Sequence, residues 1–389
     1  MTSFTGREPR LAVGSSIEKG KRRLSLRRLG TMLNILPPNA VSLDAVAEMI
    51  QSEDFFVRYN AAKLLSKRAD RDARVVMEDA LRTGHPRTRA SVARHLHGFS
   101  WFSAEPLIKT ALADEDNRVR EAVIYTLCDL KDLNAYKLMI DHLPKETDNV
   151  LEAAAFGLRE TQDSAALPVL KIVLEAKDPD VRIKALEALG MTGLREATSM
   201  VREKMFDPEP SVKYAATLSL LELSGEAWLD ELSGVIGRTE GETLEQVLLA
   251  FFHATNYLKI DVARSKSADL MIDALESALL DSHKGVRMAA MWSLAWTRHA
   301  RTSDILKKTY RLETDSEVKA HIVRVAAGLM SEASEEILND AISQNDDVVR
   351  KAAQKIIEER ERIGFVPTFD PNAYAGEAFD RSHLTGKLN

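Results

Sequence analysis

Of 389 residues only one is cysteine, 6% are aromatic and 18 are glycine, and each scarcity removes a class of protein. A single thiol, Cys128, cannot close an intramolecular disulfide or supply a multi-cysteine zinc or iron–sulfur site, so it is expected to be a packing residue in a reducing compartment. Few glycines and few aromatics favour helix over strand-and-turn architectures. No apolar run reaches the roughly 18 residues of a membrane span, and the positive N-terminus lacks the apolar core of a signal peptide. Neither a span nor secretion is expected, and the cytoplasm is the expected location. Lys and Arg number 53 against 59 Asp and Glu, so the net charge of −6 withholds the positive field of a nucleic-acid binder.

What the chain has is a period. Asp178-Pro179-Asp180-Val181-Arg182-Ile183-Lys184-Ala185-Leu186-Glu187-Ala188-Leu189-Gly190 is the clearest copy of a pattern that recurs throughout. Aligned on its valine, the copies fall at Val57, Thr88, Val119, Val150, Val181, Val212, Leu244, Val286, Val318 and Val349, at intervals of 31, 31, 31, 31, 31, 32, 42, 32 and 31 residues. Small or aliphatic residues follow the anchor at four, five and eight places, one face of a helix, as in Ala61, Ala62 and Leu65. Asp three places before the anchor and Pro two before it supply an N-cap and a first-turn proline. Upstream apolar stretches such as Ala166 to Leu174 supply a first helix, so each unit is a helical hairpin. A 31-residue hairpin cannot bury its own apolar face, and stacked neighbours close a continuous core. The predicted fold is all-α, an α-solenoid of about ten two-helix repeats.

The run from Asp178 to Gly190, with weaker copies from Asp54 onward, resembles the HEAT-repeat family, and the short period resembles its phycobilisome-lyase-like branch. The resemblance implies an armadillo-type superhelix over residues 41–363, with an insertion as a loop near 257–267. Residues 1–40 precede it as a basic arm and capping helix, and residues 364–389 follow as an aromatic-containing tail. It leaves function open, since the family serves as scaffold, adaptor, lyase subunit, hydroxylase and DNA-repair glycosylase.

The cation after the anchor (Arg58, Arg89, Arg120, Arg182, Lys213, Arg287, Lys319, Arg350) is expected to form a structural ladder with carboxylates at neighbouring helix starts, Asp178 and Asp346 for example, rather than a phosphate track. The hydroxylase branch of the family carries iron on paired His-Glu dipeptides, whereas none of the nine histidines here precedes a Glu. His95 and His97 are expected at a surface and a helix end. With no nucleophile elbow and no Gly-rich phosphate loop, the expectation is a chain that is not an enzyme and needs no cofactor.

Positions two and six after the anchor are usually charged in this family, yet Tyr125, Phe156, Ile183, Tyr214, Leu218, Met288 and Trp292 occupy them here. If second helices line the inner face, as in this family, these side chains form an apolar groove for a protein partner; otherwise they pack against neighbouring helices. In Gly98-Phe99-Ser100-Trp101-Phe102 the aromatics are expected to cap the core. The first thirty residues hold eight basic and two acidic residues. Leu26, Leu29, Leu33 and Leu36 then follow helical spacing, which reads as a cap on the first repeat, preferred over contact with an anionic membrane. In the tail, Tyr374 and Phe379 are candidate docking anchors.

The expected function is therefore a non-enzymatic cytoplasmic scaffold or adaptor holding a protein partner in the groove and through the tail. A bilin-lyase-like enzyme subunit or chaperone, and a nucleic-acid-binding solenoid, are the alternatives, with nucleic acid disfavoured by the charge balance.

Overall fold

The computed structural model describes residues 37–363, and all regular structure among them is helical. The basic arm before residue 37 and the tail that carries Tyr374 and Phe379 lie outside the described residues. The chain divides into two compact units, residues 1–192 and 193–389.

In the first unit five hairpins follow one another: α1 (Leu43–Ile50) with α2 (Phe55–Arg68), α3 (Arg71–Thr83) with α4 (Pro86–Ala93), α5 (Trp101–Leu112) with α6 (Asn117–Leu130), α7 (Leu133–His142) with α8 (Asp148–Leu158), and α9 (Leu167–Val173) with α10 (Pro179–Thr192). The second unit continues the plan with α11 (Thr198–Glu203) and α12 (Pro210–Ser224), α13 (Leu229–Ile236) and α14 (Gly241–Leu258), α15 (Ala268–Ala278) and α16 (Lys284–Thr297), α17 (Thr302–Leu312) and α18 (Ser316–Ala327), and α19 (Glu332–Ser343) and α20 (Asp347–Ile363). Within each unit, successive second helices pack side by side. This is the α-solenoid fold class expected from the repeat.

Each second helix starts where its sequence dictates. Asp54 accepts from Phe56 N, Asp116 from Arg118 N and Asp315 from Glu317 N, each at 2.9 Å, while Pro86, Pro179 and Pro210 open α4, α10 and α12. The anchors Val57, Val119, Val150, Val181, Val212, Leu244, Val286, Val318 and Val349 are all buried. Two glycines set how closely helices approach. A Cβ on Gly98 would lie 2.2 Å from Ser66 O, and one on Gly157 would lie 2.6 Å from Cys128 Sγ. Cys128 is accordingly buried between α6 and α8, and burial pushes its thiol pKa far up.

The insertion lies between α14 and α15, residues 259–267. α14 runs on to Leu258, a 3-10 turn covers Val262–Arg264, and α15 begins at Ala268. Part of the extra length is absorbed as helix, where backbone groups find partners locally. In the aromatic link, Phe99 is buried but Phe102 is 88% exposed, so only part of that cluster seals the core.

The cation after the anchor does two jobs. Its Nη1 reaches back to carbonyls just past the first helix of its own hairpin: Arg58 to Ser52 O (2.7 Å), Arg89 to Gly84 O (3.2 Å), Arg120 to Asp114 O (2.8 Å), Arg182 to Ala176 O (2.9 Å), Arg287 to Asp281 O (3.0 Å) and Arg350 to Gln344 O (3.1 Å). These carbonyls carry the negative end of the helix dipole and have no intrahelical donor. The rest of the guanidinium bonds an acid from the next hairpin: Arg89 Nε to Asp114 at 2.7 Å, Arg120 Nε to Glu146 at 2.9 Å and Arg287 Nε to Glu313 at 2.8 Å. Those acids in turn accept the backbone N–H of Asp116, Thr147 and Asp315. Asp178 and Asp346, expected as ladder partners, instead accept backbone N–H groups of their own helix starts. The lysines are weaker rungs: Lys213 donates to Thr243 Oγ1 at 2.7 Å, and Lys319 Nζ stands 4.8 Å from the centre of the Tyr310 ring.

His95, expected at a surface, instead follows α4 and is buried at 3% exposure, while His97 is exposed. Its Nδ1 donates to Ser91 O at 2.8 Å, and its ring meets Tyr59 edge to face at 4.4 Å. Burial, reinforced by His97, Arg94 and Lys63, holds its pKa down at about 4.

Two outcomes are expected. Replacing Arg287 by Met strands Glu313, whose side chain is 5% exposed, and should destabilise the second unit by about 3 kcal/mol or more in denaturant titration. His95 is neutral when folded and gains a proton near pH 6.5 when unfolded, so the unfolded chain binds more protons between pH 6.5 and about 4. Stability should fall by roughly 3 kcal/mol as pH drops through that window and then level off, a component missing from His95→Asn.

Candidate functional site

The second helices present positions two and six after the anchor away from the buried anchors, and here the two units differ. In the first unit Tyr125 on α6 and Phe156 on α8 meet edge to face, with ring centres 6.1 Å apart and planes at 86°. Tyr125 is half-buried and Phe156 is 52% exposed. Each carries a cation: the Arg94 guanidinium lies 5.5 Å from the Tyr125 ring centre and bonds Asp129, and that of Arg159 lies 4.0 Å over Phe156. One turn back on the same helices stand Glu121 and Glu152. Lys184 pairs with Glu152, and burial, with Glu152 adding to it, holds the Glu121 carboxyl above the usual range. Ile183 lies half-buried on the neighbouring α10. The arrangement is an aromatic pair with fixed cations on its faces and carboxylates alongside.

In the second unit Tyr214 is half-buried, and its hydroxyl lies 2.9 Å from His253 Nδ1. Burial pushes the Tyr214 pKa well up. Phe252 stacks edge to face on Trp296 at 6.0 Å, and Leu218 and Met288 are half-buried. Trp292 corrects the groove expectation, since at 7% exposure, 6.3 Å from the His321 ring, it is a packing residue. A large indole at that position fills the space between adjacent second helices.

Arg159 and His253 were not singled out from sequence. Both lie nine places after an anchor, Val150 and Leu244, and reading that third row would have found them.

A family model described as HEAT repeats matches residues 77–159, 138–221 and 166–250. Deoxyhypusine hydroxylase of Arabidopsis thaliana is 25% identical over 202 residues, 50% of this chain and 60% of the relative. Deoxyhypusine hydroxylase-B of Oryza sativa subsp. japonica is 25% identical over 248 residues, 60% of this chain and 76% of the relative. This chain thus spans less than two thirds of the Arabidopsis protein. Among solved structures, the karyopherin Kap121p bound to the extreme C-terminus of the protein phosphatase Cdc14p aligns with a TM-score of 0.58 at 14% identity, over 87% of this chain and 44% of that one. Kap121p bound to RanGTP gives 0.58 at 14%, over 90% and 44%. Those likenesses show the fold alone.

The hydroxylase relatives overturn the expectation that the chain is not an enzyme, because the proteins it resembles in sequence are enzymes by name. The iron of the hydroxylase branch, by contrast, does not fit the residues present. No His is followed by Glu. Among the described residues no three His, Cys, Asp or Glu side chains are grouped to share an ion, and His142, His253 and His283 are engaged with Glu146, Tyr214 and Glu245. No helix among the described residues is long and apolar enough to cross a membrane. The repeat motif, the hairpin stack and the family match converge on HEAT repeats over residues 77–250 of this chain.

Proposed function

We propose that this chain holds a protein partner on the second-helix face of its first unit, centred on Tyr125 and Phe156. The observation that carries the reading is Phe156, 52% exposed beside Tyr125 at positions where the repeat usually places charge. Aromatic side chains bring much contact area at low entropic cost. Arg94 and Arg159, already oriented by stacking on those rings, lose little freedom when a partner's acceptor reaches their outer N–H groups. In the second unit Tyr214, Leu218 and Met288 form a separate contact in this proposal, and Tyr374 and Phe379 of the tail a third that rests on sequence alone. The Kap121p structures support the general reading, since in both a solenoid of this fold is bound to a protein.

Replacing Tyr125 and Phe156 together by Ala should reduce partner recovery from the protein's own cells by at least about tenfold, the loss expected for two interface anchors. Circular dichroism and the melting temperature should stay close to wild type. Undiminished recovery would refute the site, and an unfolded double variant would make the pair packing residues. Trp292→Ala provides the contrast: it should cost about 3 kcal/mol or more of stability in the same melting series.

A further inference from the structure

The first hairpin carries an exposed aromatic cluster that the proposed partner site does not use. Phe55 and Phe56, each 56% exposed, open α2 with ring centres 5.6 Å apart, and Tyr59 stands 5.6 Å from Phe55 one turn on. The equivalent first-turn positions of the other second helices in this unit are Pro86-Arg87, Asn117-Arg118, Asp148-Asn149 and Pro179-Asp180. Two phenylalanines at a solvent-facing helix start thus depart from the other second helices of this unit, and they do so in the first hairpin among the described residues. An aromatic patch of this kind lowers its free energy by being covered.

The charge around it is one-sided. Residues 37–57 contain Asp44, Glu48, Glu53 and Asp54 and no Lys or Arg, and Asp44, Glu48 and Glu53 are exposed. The chain immediately upstream is the opposite. Residues 21–36 contain Lys21, Arg22, Arg23, Arg27 and Arg28 and no acid, with Leu26, Leu29, Leu33 and Leu36 at the spacing of one helix face. Reach is sufficient as well, because a helix of sixteen residues is about 24 Å long, twice the roughly 12 Å of α1 that separates its start from the beginning of α2.

From these complementary surfaces we infer that the Phe55–Phe56–Tyr59 patch is a docking surface for residues 21–36 of the same chain, the leucines covering the rings and the basic residues facing Asp44, Glu48 and Glu53. The contact is intramolecular. Tethering gives the segment a high effective concentration, so modest contacts suffice.

Hydrogen exchange on the full-length protein tests this. Amides of residues 24–36 should be protected, and exchange there should speed up at least about tenfold both in Phe55→Ser with Phe56→Ser and in Leu29→Ser with Leu33→Ser. The second pair precedes the described hairpins in sequence, so it keeps the test decisive if the first disturbs α2; exchange in α6 and α8 serves as the folding control. Glu48→Lys with Glu53→Lys should also accelerate exchange, and adding Arg27→Glu with Arg28→Glu should restore protection. Exchange at 24–36 that neither serine pair alters would overturn the inference. A dimer by light scattering that both serine pairs dissociate would also overturn it, since the occupant would then be a second copy.

Discussion

The guanidinium that follows each anchor is the interaction on which the rest of the structure depends. Each end of a helix leaves backbone groups without intrahelical partners, and an array of short hairpins multiplies those ends. Arg58, Arg120, Arg182, Arg287 and Arg350 answer this with one nitrogen, donating to a carbonyl six residues back where the first helix has just stopped. In Arg89, Arg120 and Arg287 the remaining nitrogens hold an acid that also closes the turn of the following hairpin. One side chain therefore ties the two helices of a repeat together and ties that repeat to the next. Arginine suits this because its donors form a rigid planar fork; lysine offers a single point, and Lys213 and Lys319 make correspondingly fewer contacts.

With the anchor, the cation and the apolar positions committed to the stack, few positions of a second helix are left to vary. Two and six places after the anchor are free of that duty in several repeats, though not at Trp292, and so is the ninth when it points outward. Those rows hold Tyr125, Phe156, Arg94 and Arg159 in the first unit and Tyr214, Leu218, Met288 and His253 in the second. Register thus separates two sets of residues: those that close the core recur at intervals of 31 or 32 positions in all but one step, and those of the outward rows change from copy to copy.

This separation explains what could be read from sequence. Helix starts were legible because Asp54, Asp116 and Asp315 act locally, through a cap that needs no tertiary information. The identity of the ladder's partners was not, since pairing Arg287 with Glu313 rather than with a helix-start aspartate depends on where the next first helix ends in space. Trp292 and Phe156 share one register position yet differ in exposure, because the size of the neighbouring side chain and the local helix spacing decide burial. A one-dimensional period assigns a face; it does not assign accessibility. The insertion was legible as a break in the period, but not how its residues divide between the end of α14 and the segment 259–267 that follows.

The same logic bears on the hydroxylase relatives. A 31-residue repeat repeatedly fixes small, aliphatic and basic residues at set offsets, so two chains built on it share identities wherever their cores coincide. The 25% identity to the Arabidopsis relative extends over 50% of this chain. Chemistry has to be carried by the outward rows and by the segments that break the period. In the first unit of this chain the outward rows present the Tyr125 and Phe156 rings with the guanidinium groups of Arg94 and Arg159 stacked on them.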